Sequence, residues 1–224
     1  MNNIFSIAID GPAGAGKSTI AKAVAKKTGA MYLDTGAMYR TVGLYFSRKG
    51  AEKDTETVAK LAHDMDIGVK FVDGVQRMYL DGEDVTDLIR SPEASMAASA
   101  VSAVPEVRAC LVRLQQETAK GVSIVMDGRD IGTIVLPDAT LKLFVTATAE
   151  ARAMRRYNDL RAAGLLPKFH VVLDELVERD YNDSHRSATP LRRAEDALLL
   201  DTTNMTVNQV VSEVERLLKD AIGG

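Results

Sequence analysis

The fold is decided by the stretch IFSIAIDGPAGAGKS, residues 4–18. Its first part, 4–9, is a short apolar run with β-branched members, which is typical of a buried strand. Residues 11–16 are rich in glycine and proline and can continue neither a strand nor a helix, so they predict a loop. From Lys17 to Thr28 apolar residues recur at helical spacing, and Gly29 supplies a stop. The stretch therefore predicts a strand, a loop and a helix in immediate succession.

The loop matches the pattern G-x-x-x-x-G-K-[ST] of a phosphate-binding P-loop. Its glycines let backbone N–H groups surround a phosphate, and the helix N-terminus adds positive potential. Lys17 is then placed to bridge β- and γ-phosphates, and the Ser18 hydroxyl to bind Mg²⁺. The structural alternative is a glycine-rich turn with a solvated lysine. The expected ATP-binding residues are Gly11, Pro12, Ala13, Gly14, Ala15, Gly16, Lys17, Ser18 and Thr19.

The rest of the chain alternates strands with helices. Strands are predicted at 31–33, 122–126, 141–146 and 198–200, and helices at 36–48, 105–119 and 206–221. Asp-Gly pairs at 73–74 and 81–82, flanked by alternating apolar residues, predict a small antiparallel insert at 64–90. The β-loop-α alternation predicts a doubly wound α/β fold, with a five-stranded parallel sheet flanked by helices.

Composition excludes several classes of protein. The 224 residues are 46% hydrophobic and 26% charged, which suits a globular domain and not a disordered or fibrous chain. The formal net charge of -3 argues against a nucleic-acid polymer or an anionic membrane as partner. The one cysteine, Cys110, excludes an internal disulfide and is interpreted as a core residue. With no targeting or membrane-spanning segment recognised, we expect a cytoplasmic protein.

Two further motifs follow predicted strands. DTGAMYR at 34–40 follows the second strand, and GRDIG at 128–132 follows the strand at 122–126. Ligands of open α/β sheets bind at such strand ends. Neither motif matches a guanine-reading sequence of GTPases. Nucleotide binding by itself leaves open hydrolysis, coupled motion or transfer to a small acceptor.

With these motifs, nearly the whole chain resembles the bacterial cytidylate kinases, which are P-loop nucleoside monophosphate kinases. The shared segments are 11–18, 34–40, the insert, IRSPE at 89–93, VR at 107–108, DGRDIGT at 127–133, the spacing R-D-x-x-D-x-x-R at 179–186, and PL at 190–191. The resemblance implies a single P-loop kinase domain, 1–224. Within it, 36–105 is the region that binds the nucleoside monophosphate, and 150–186 contains an arginine-rich lid.

The resemblance also implies a reaction, in which MgATP phosphorylates CMP or dCMP to give CDP or dCDP and ADP. Thr35 and Asp183 are implied to contact cytosine, and Arg40, Arg108 and Arg129 to hold the acceptor phosphate. The other implied CMP-binding residues are Asp130, Arg179 and Arg186. The chemistry agrees, because a carboxylate accepts a hydrogen bond from the cytosine amine, and guanidinium groups bind phosphate through two bonds.

Arginines are concentrated where phosphoryl transfer is expected to occur. Eight of the 16 lie between Arg152 and Arg193, and such cations stabilise the charge of a phosphoryl-transfer transition state. We expect Arg152, Arg155 and Arg156 to act on the transferring phosphoryl group, with a helix-surface role for Arg152 as the alternative. The expected catalytic residues are Lys17, Arg129, Arg155 and Arg156.

Two carboxylates keep two interpretations each. Asp127 is a candidate for holding Mg²⁺ through water, or for a structural role; Asp180 either contacts substrate or supports other residues. No general base is expected, because a nucleoside monophosphate has a second pKa of about 6 and is largely dianionic at neutral pH. The rival functions are a kinase for UMP, AMP or shikimate, and a P-loop hydrolase or switch. We expect a monomer that binds ATP and CMP or dCMP and neither nucleic acid nor membrane.

Overall fold

The computed structural model describes residues 4–51, 54–186 and 188–223. The described strands are β1 (Ser6–Asp10), β2 (Met31–Asp34), β3 (Ile67–Val72), β4 (Val75–Leu80), β5 (Glu83–Asp84), β6 (Ile124–Gly128), β7 (Leu141–Thr146) and β8 (Leu198–Asp201). The described helices are α1 (Lys17–Thr28), α2 (Thr35–Arg48), α3 (Thr55–Leu61), α4 (Pro92–Val101), α5 (Pro105–Ala119), α6 (Ala149–Ala162), α7 (Phe169–His185) and α8 (Val207–Gly223).

The strands form two sheets. The larger is parallel and has five strands, and the smaller has three strands in the order β3-β4-β5. Four strands of the larger sheet follow the order β6-β1-β7-β8, with Asp10 opposite both Gly128 and Phe144. Ile7 and Ile9 are fully buried, as expected for a central strand of a parallel sheet. The predicted fold class, a parallel α/β sheet with a small antiparallel insert, is confirmed.

The chain divides into two compact units. The first combines the residues up to Ala30 with those from Val122 onward, and the second runs from Met31 to Gly121. The P-loop and the arginine-rich stretch 150–186 belong to the first unit. The insert, the motif at 34–40 and the whole region 36–105 belong to the second.

Most predicted elements occur with small shifts in their bounds. The turn of the hairpin between β3 and β4 lies at Asp73 and Gly74. Both residues have positive φ, as a two-residue Asp-Gly turn requires. Strand β6 is displaced by two residues from the predicted 122–126. Helices α3 and α4 were not predicted, nor was the π-helical turn Ile131–Val135. Cys110 is half-buried and has a free thiol.

Within the described residues, no single helix is long and apolar enough to cross a membrane; only the bent pair of α4 and α5 passes that test, jointly.

A buried carboxylate connects the ends of β1 and β6. Asp10, 4% exposed, accepts hydrogen bonds from the backbone N–H groups of Ile131 (2.8 Å) and Gly132 (2.7 Å). Burial raises the pKa of Asp10 to about 6, although the two backbone bonds act in the opposite direction. The segment after β6 is thus fixed to the residue that precedes the P-loop.

This carboxylate makes stability depend on pH. The folded-state pKa of Asp10, about 6, lies above the ordinary value of 3.8, so the folded chain binds this proton more tightly. The stability contributed by protonated Asp10 is complete below about pH 4 and is lost as pH rises through 6, a change of about 3 kcal/mol. We expect the difference in unfolding free energy between wild type and Asp10→Asn, measured with urea at several pH values, to fall by that amount.

Asp138→Asn serves as the matched control, because Asp138 is exposed. Its difference from wild type should change little over the same pH range. A difference for Asp10→Asn that is equally flat would mean that Asp10 stays ionised in the folded chain.

Candidate active site

The P-loop leaves β1 with a backbone that only glycine fits. Gly11 has φ +146°, and a Cβ atom there would lie 1.9 Å from the Val145 carbonyl oxygen. The loop therefore packs directly against β7. Helix α1 begins at Lys17 with Gly16 as its left-handed N-cap, so the strand, loop and helix predicted from the sequence are confirmed.

Lys17 is the buried cation of the loop. It is 6% exposed, and its Nζ donates a hydrogen bond to the Pro12 carbonyl oxygen at 2.7 Å. Burial, and after it the positive charge of Arg129, lower the pKa of Lys17 to about 7, whereas Asp127, Asp10 and Asp183 act in the opposite direction. The lysine therefore lies among three carboxylates that favour its charged form.

Two oxygen-bearing side chains meet beside the loop. The Ser18 hydroxyl donates to Asp127 Oδ2 at 2.7 Å, and Asp127 is 5% exposed. Ser18 lies at the start of α1 and Asp127 in β6. Hard oxygen ligands of this kind suit Mg²⁺, so the residues fit the expected ion.

A second charged group follows β6. Arg129 Nε donates to Asp183 Oδ2 of α7 at 2.7 Å, and the two side chains are 19% and 9% exposed. Burial of Asp183 opposes its ionisation, but Arg129, Arg179 and Arg186 together hold the pKa of the carboxyl below its ordinary value. Asp183 is therefore a carboxylate surrounded by three guanidinium groups.

The other predicted residues of the first unit lie on the same elements. Asp130 is 4% exposed and directly precedes the π-helical turn. Arg179 lies half-buried on α7, and Arg186 follows that helix and donates from Nε to the Thr189 carbonyl oxygen at 2.8 Å. Thr19 is exposed on the first turn of α1.

The three arginines of α6 differ in environment. Arg152 is buried, Arg155 half-buried and Arg156 exposed. Arg155 donates to the Ala15 carbonyl oxygen of the P-loop at 3.4 Å and to the Thr202 carbonyl oxygen at 2.6 Å. The helix that carries these arginines is therefore bound to the loop itself.

The second unit holds the remaining predicted residues around the start of α2. Asp34 caps this helix, because its Oδ1 accepts the Ala37 N–H at 2.9 Å, while Oδ2 pairs with Arg40 Nη2 at 3.0 Å. Thr35, the first residue of α2, is 3% exposed. Arg108 is 4% exposed and donates to the Ser102 carbonyl oxygen at 3.0 Å. Its guanidinium carbon lies 5.4 Å from the centre of the Tyr39 ring.

Sequence reasoning missed Gln76, which connects the insert to this group. Its Oε1 accepts the Asp34 N–H at 2.7 Å, and its Nε2 donates to the Asp34 carbonyl oxygen at 3.2 Å. The Gln76 side-chain amide thus pairs with the Asp34 backbone through two hydrogen bonds, as the backbone of a neighbouring strand would. An amide side chain within the apolar alternation of β4 was the only signal, and it does not identify a partner 42 positions away.

Comparison of the sequence with known proteins identifies the family of the chain. The family model for cytidylate kinase matches residues 7–220. A cytidylate kinase from Caldicellulosiruptor saccharolyticus is 51% identical over 220 residues, covering 98% of this chain and 97% of that protein. One from Caldanaerobacter subterraneus subsp. tengcongensis is 48% identical over 220 residues, covering 98% and 96%.

The fold also matches a solved structure. A crystal structure of an uncharacterized protein from Eubacterium ventriosum aligns with a TM-score of 0.53 at 13% identity, covering 97% of this chain and 99% of that one. At that identity the match concerns the fold only. The family model and the relatives decide the classification: this chain belongs to the cytidylate kinases, which are nucleoside monophosphate kinases and ATP-dependent phosphotransferases.

Proposed function

We propose that this chain transfers the γ-phosphate of MgATP to CMP and dCMP, forming CDP or dCDP and ADP. The P-loop residues 11–19 bind ATP. The residues proposed to recognise CMP are Thr35, Arg40, Arg108, Arg129, Asp130, Arg179, Asp183 and Arg186. The relatives' names and the shared motifs support this assignment.

One observation supports cytosine as the base of the acceptor. The charges of Arg129, Arg179 and Arg186 lower the pKa of Asp183 and so favour its ionised form. A carboxylate only accepts hydrogen bonds, so it pairs with the exocyclic amine of cytosine. Uracil presents an oxygen at the same position, and the two acceptors would repel. A protonated Asp183 would lose this discrimination, and the guanidinium groups favour the ionised form.

The mechanism that we propose needs charge and position, with no general base. The dianionic phosphate of CMP attacks the γ-phosphorus in line, and ADP leaves. Lys17 is buried and Arg129 half-buried, so their charges stabilise the transition state more strongly than exposed ones would. Arg155 and Arg156 stay predictions as direct contributors.

Mg²⁺ accompanies ATP in this proposal. When bound, it neutralises phosphate charge and helps to orient the transferring group. Ser18 would hold it directly, and Asp127 would orient the Ser18 hydroxyl and the water around the ion. A cytoplasmic location, a monomeric state and the lack of nucleic-acid or membrane partners stay predictions.

An acceptor assay tests the proposed function. ADP formation from MgATP should require an acceptor and should be fastest with CMP or dCMP, at least about tenfold slower with UMP, and at background with AMP, shikimate or no acceptor. ADP formation without an acceptor, or fastest with AMP or shikimate, would refute the assignment.

Lys17→Ala should lower kcat at least about 100-fold, because it removes a transition-state charge.

A magnesium titration tests Asp127. Asp127→Asn keeps an oxygen for the Ser18 hydroxyl but loses the negative charge. We expect the Mg²⁺ concentration for half-maximal activity to rise about tenfold, within the usual range for residues that orient metal ligands. Asp138→Asn, at an exposed position, is the control. An unchanged Mg²⁺ requirement would leave Asp127 a structural role.

Base selectivity tests Asp183. In Asp183→Asn the ratio of kcat/KM for CMP to that for UMP should fall about tenfold, because the amide can also donate to uracil. Asp174→Asn, at an exposed position on the same helix, should keep the wild-type ratio. If Asp183→Asn folds and keeps that ratio too, Asp183 does not read the base.

A further inference from the structure

The backbone of Ala13 in the P-loop is held at both polar ends by the two helices that follow β7. Its N–H donates to Asp180 Oδ1 of α7 at 3.3 Å. Its carbonyl oxygen accepts from Arg152 Nη1 of α6 at 3.0 Å. The same nitrogen of Arg152 pairs with Asp180 Oδ2. The three residues therefore form a closed ring of contacts that fixes both peptide groups flanking Ala13.

The charged pair is itself held in place. The side chains of Arg152 and Asp180 are 8% and 21% exposed. Arg152 Nε donates to the Ala147 carbonyl oxygen at 2.9 Å, which fixes the guanidinium plane. Removing either charge would leave the other largely buried without its partner, so the two residues depend on each other.

The next loop residue packs against the same helices. Gly14 has φ +72°, and a Cβ atom there would lie 3.2 Å from Arg152 Cβ and 3.1 Å from Leu176 Cδ1. The first half of the P-loop is therefore in contact with α6 and α7. These contacts concern the loop backbone and not the Lys17 side chain.

We propose that Arg152 and Asp180 are a positioning pair that sets the start of the P-loop for binding polyphosphate. This inference rests on the proposed role of the loop as the ATP site. A phosphate cradle needs its N–H groups turned inward and its carbonyl groups turned away, because a carbonyl that faces the phosphate repels it. By holding the Ala13 carbonyl, Arg152 prevents that rotation. The Ala13 N–H donates to Asp180 and is therefore not one of the groups that face the phosphate; Asp180 instead fixes the peptide group before Ala13. Both residues thus act through the backbone.

Two variants and their combination test the pair in the full-length chain. Arg152→Met removes the guanidinium group at similar length, and Asp180→Asn keeps an acceptor for the Ala13 N–H but removes the charge. We expect each to weaken ADP binding, measured by calorimetry, about tenfold, and to raise KM for ATP similarly. Because the pair acts as one unit, the double variant should lose no more than about the weaker-binding single variant.

Binding of CMP separates positioning from general damage. The affinity for CMP should stay within about threefold of wild type in the same variants. The controls are Arg161→Met on α6 and Asp174→Asn on α7, both at exposed positions, and they should keep wild-type ADP affinity. Asp180→Asn, at the more exposed position, keeps the test available if Arg152→Met does not fold.

The outcomes distinguish the two levels of the proposal. Folded variants with wild-type ADP affinity, equal losses for ADP and CMP, or additive losses in the double variant would each overturn the positioning pair. A wild-type chain that binds no ADP would instead overturn the proposed function.

Discussion

The hydrogen bonds of Asp10 are the contact on which the phosphate-binding end of the first unit depends. Asp10 ends β1 immediately before the P-loop, and the N–H groups that it accepts belong to the segment after β6. The loop and the segment that carries Arg129 therefore share one buried anchor. An isolated carboxylate in this position would be costly, and the two short backbone bonds offset part of that cost. Because of this anchor, Lys17 after β1 and Arg129 after β6 are held by segments that are fixed to each other.

Charge balance is the second constraint on the site. The positive charge of Arg129 lowers the pKa of Lys17, and both side chains belong to the first unit. They can be retained only because carboxylates surround them, as Asp127, Asp10 and Asp183 do for Lys17. The net charge of -3 is thus compatible with a site in which many charged groups of both signs lie close together. The arginine cluster recognised in the sequence is only half of this arrangement.

Predictability from sequence follows the range of the interactions. The P-loop and α1 were predicted almost to the residue, because glycine and helical spacing are local signals. Strand β6 was placed two residues early, since Asp127-Gly128 reads as a turn, yet its pairing with β1 continues to Gly128. Helix α4 was missed because Ala and Ser mask its periodicity, although the Ser91 cap was a usable signal.

The same reasoning explains which site contacts could not be derived. Asp180 follows Ala13 by 167 positions, and Arg152 follows it by 139. The sequence identifies these residues as charged, but it does not show that they bind the backbone of the P-loop. Only the folded structure shows those contacts. The cations proposed to bind phosphate also have protein acceptors, since Lys17 donates to Pro12 and Arg129 to Asp183. When phosphate binds, these cations must give up the protein acceptors for the phosphate oxygens. The free energy gained is therefore only the difference between their interaction with a phosphate dianion and their interaction with a carbonyl or carboxylate.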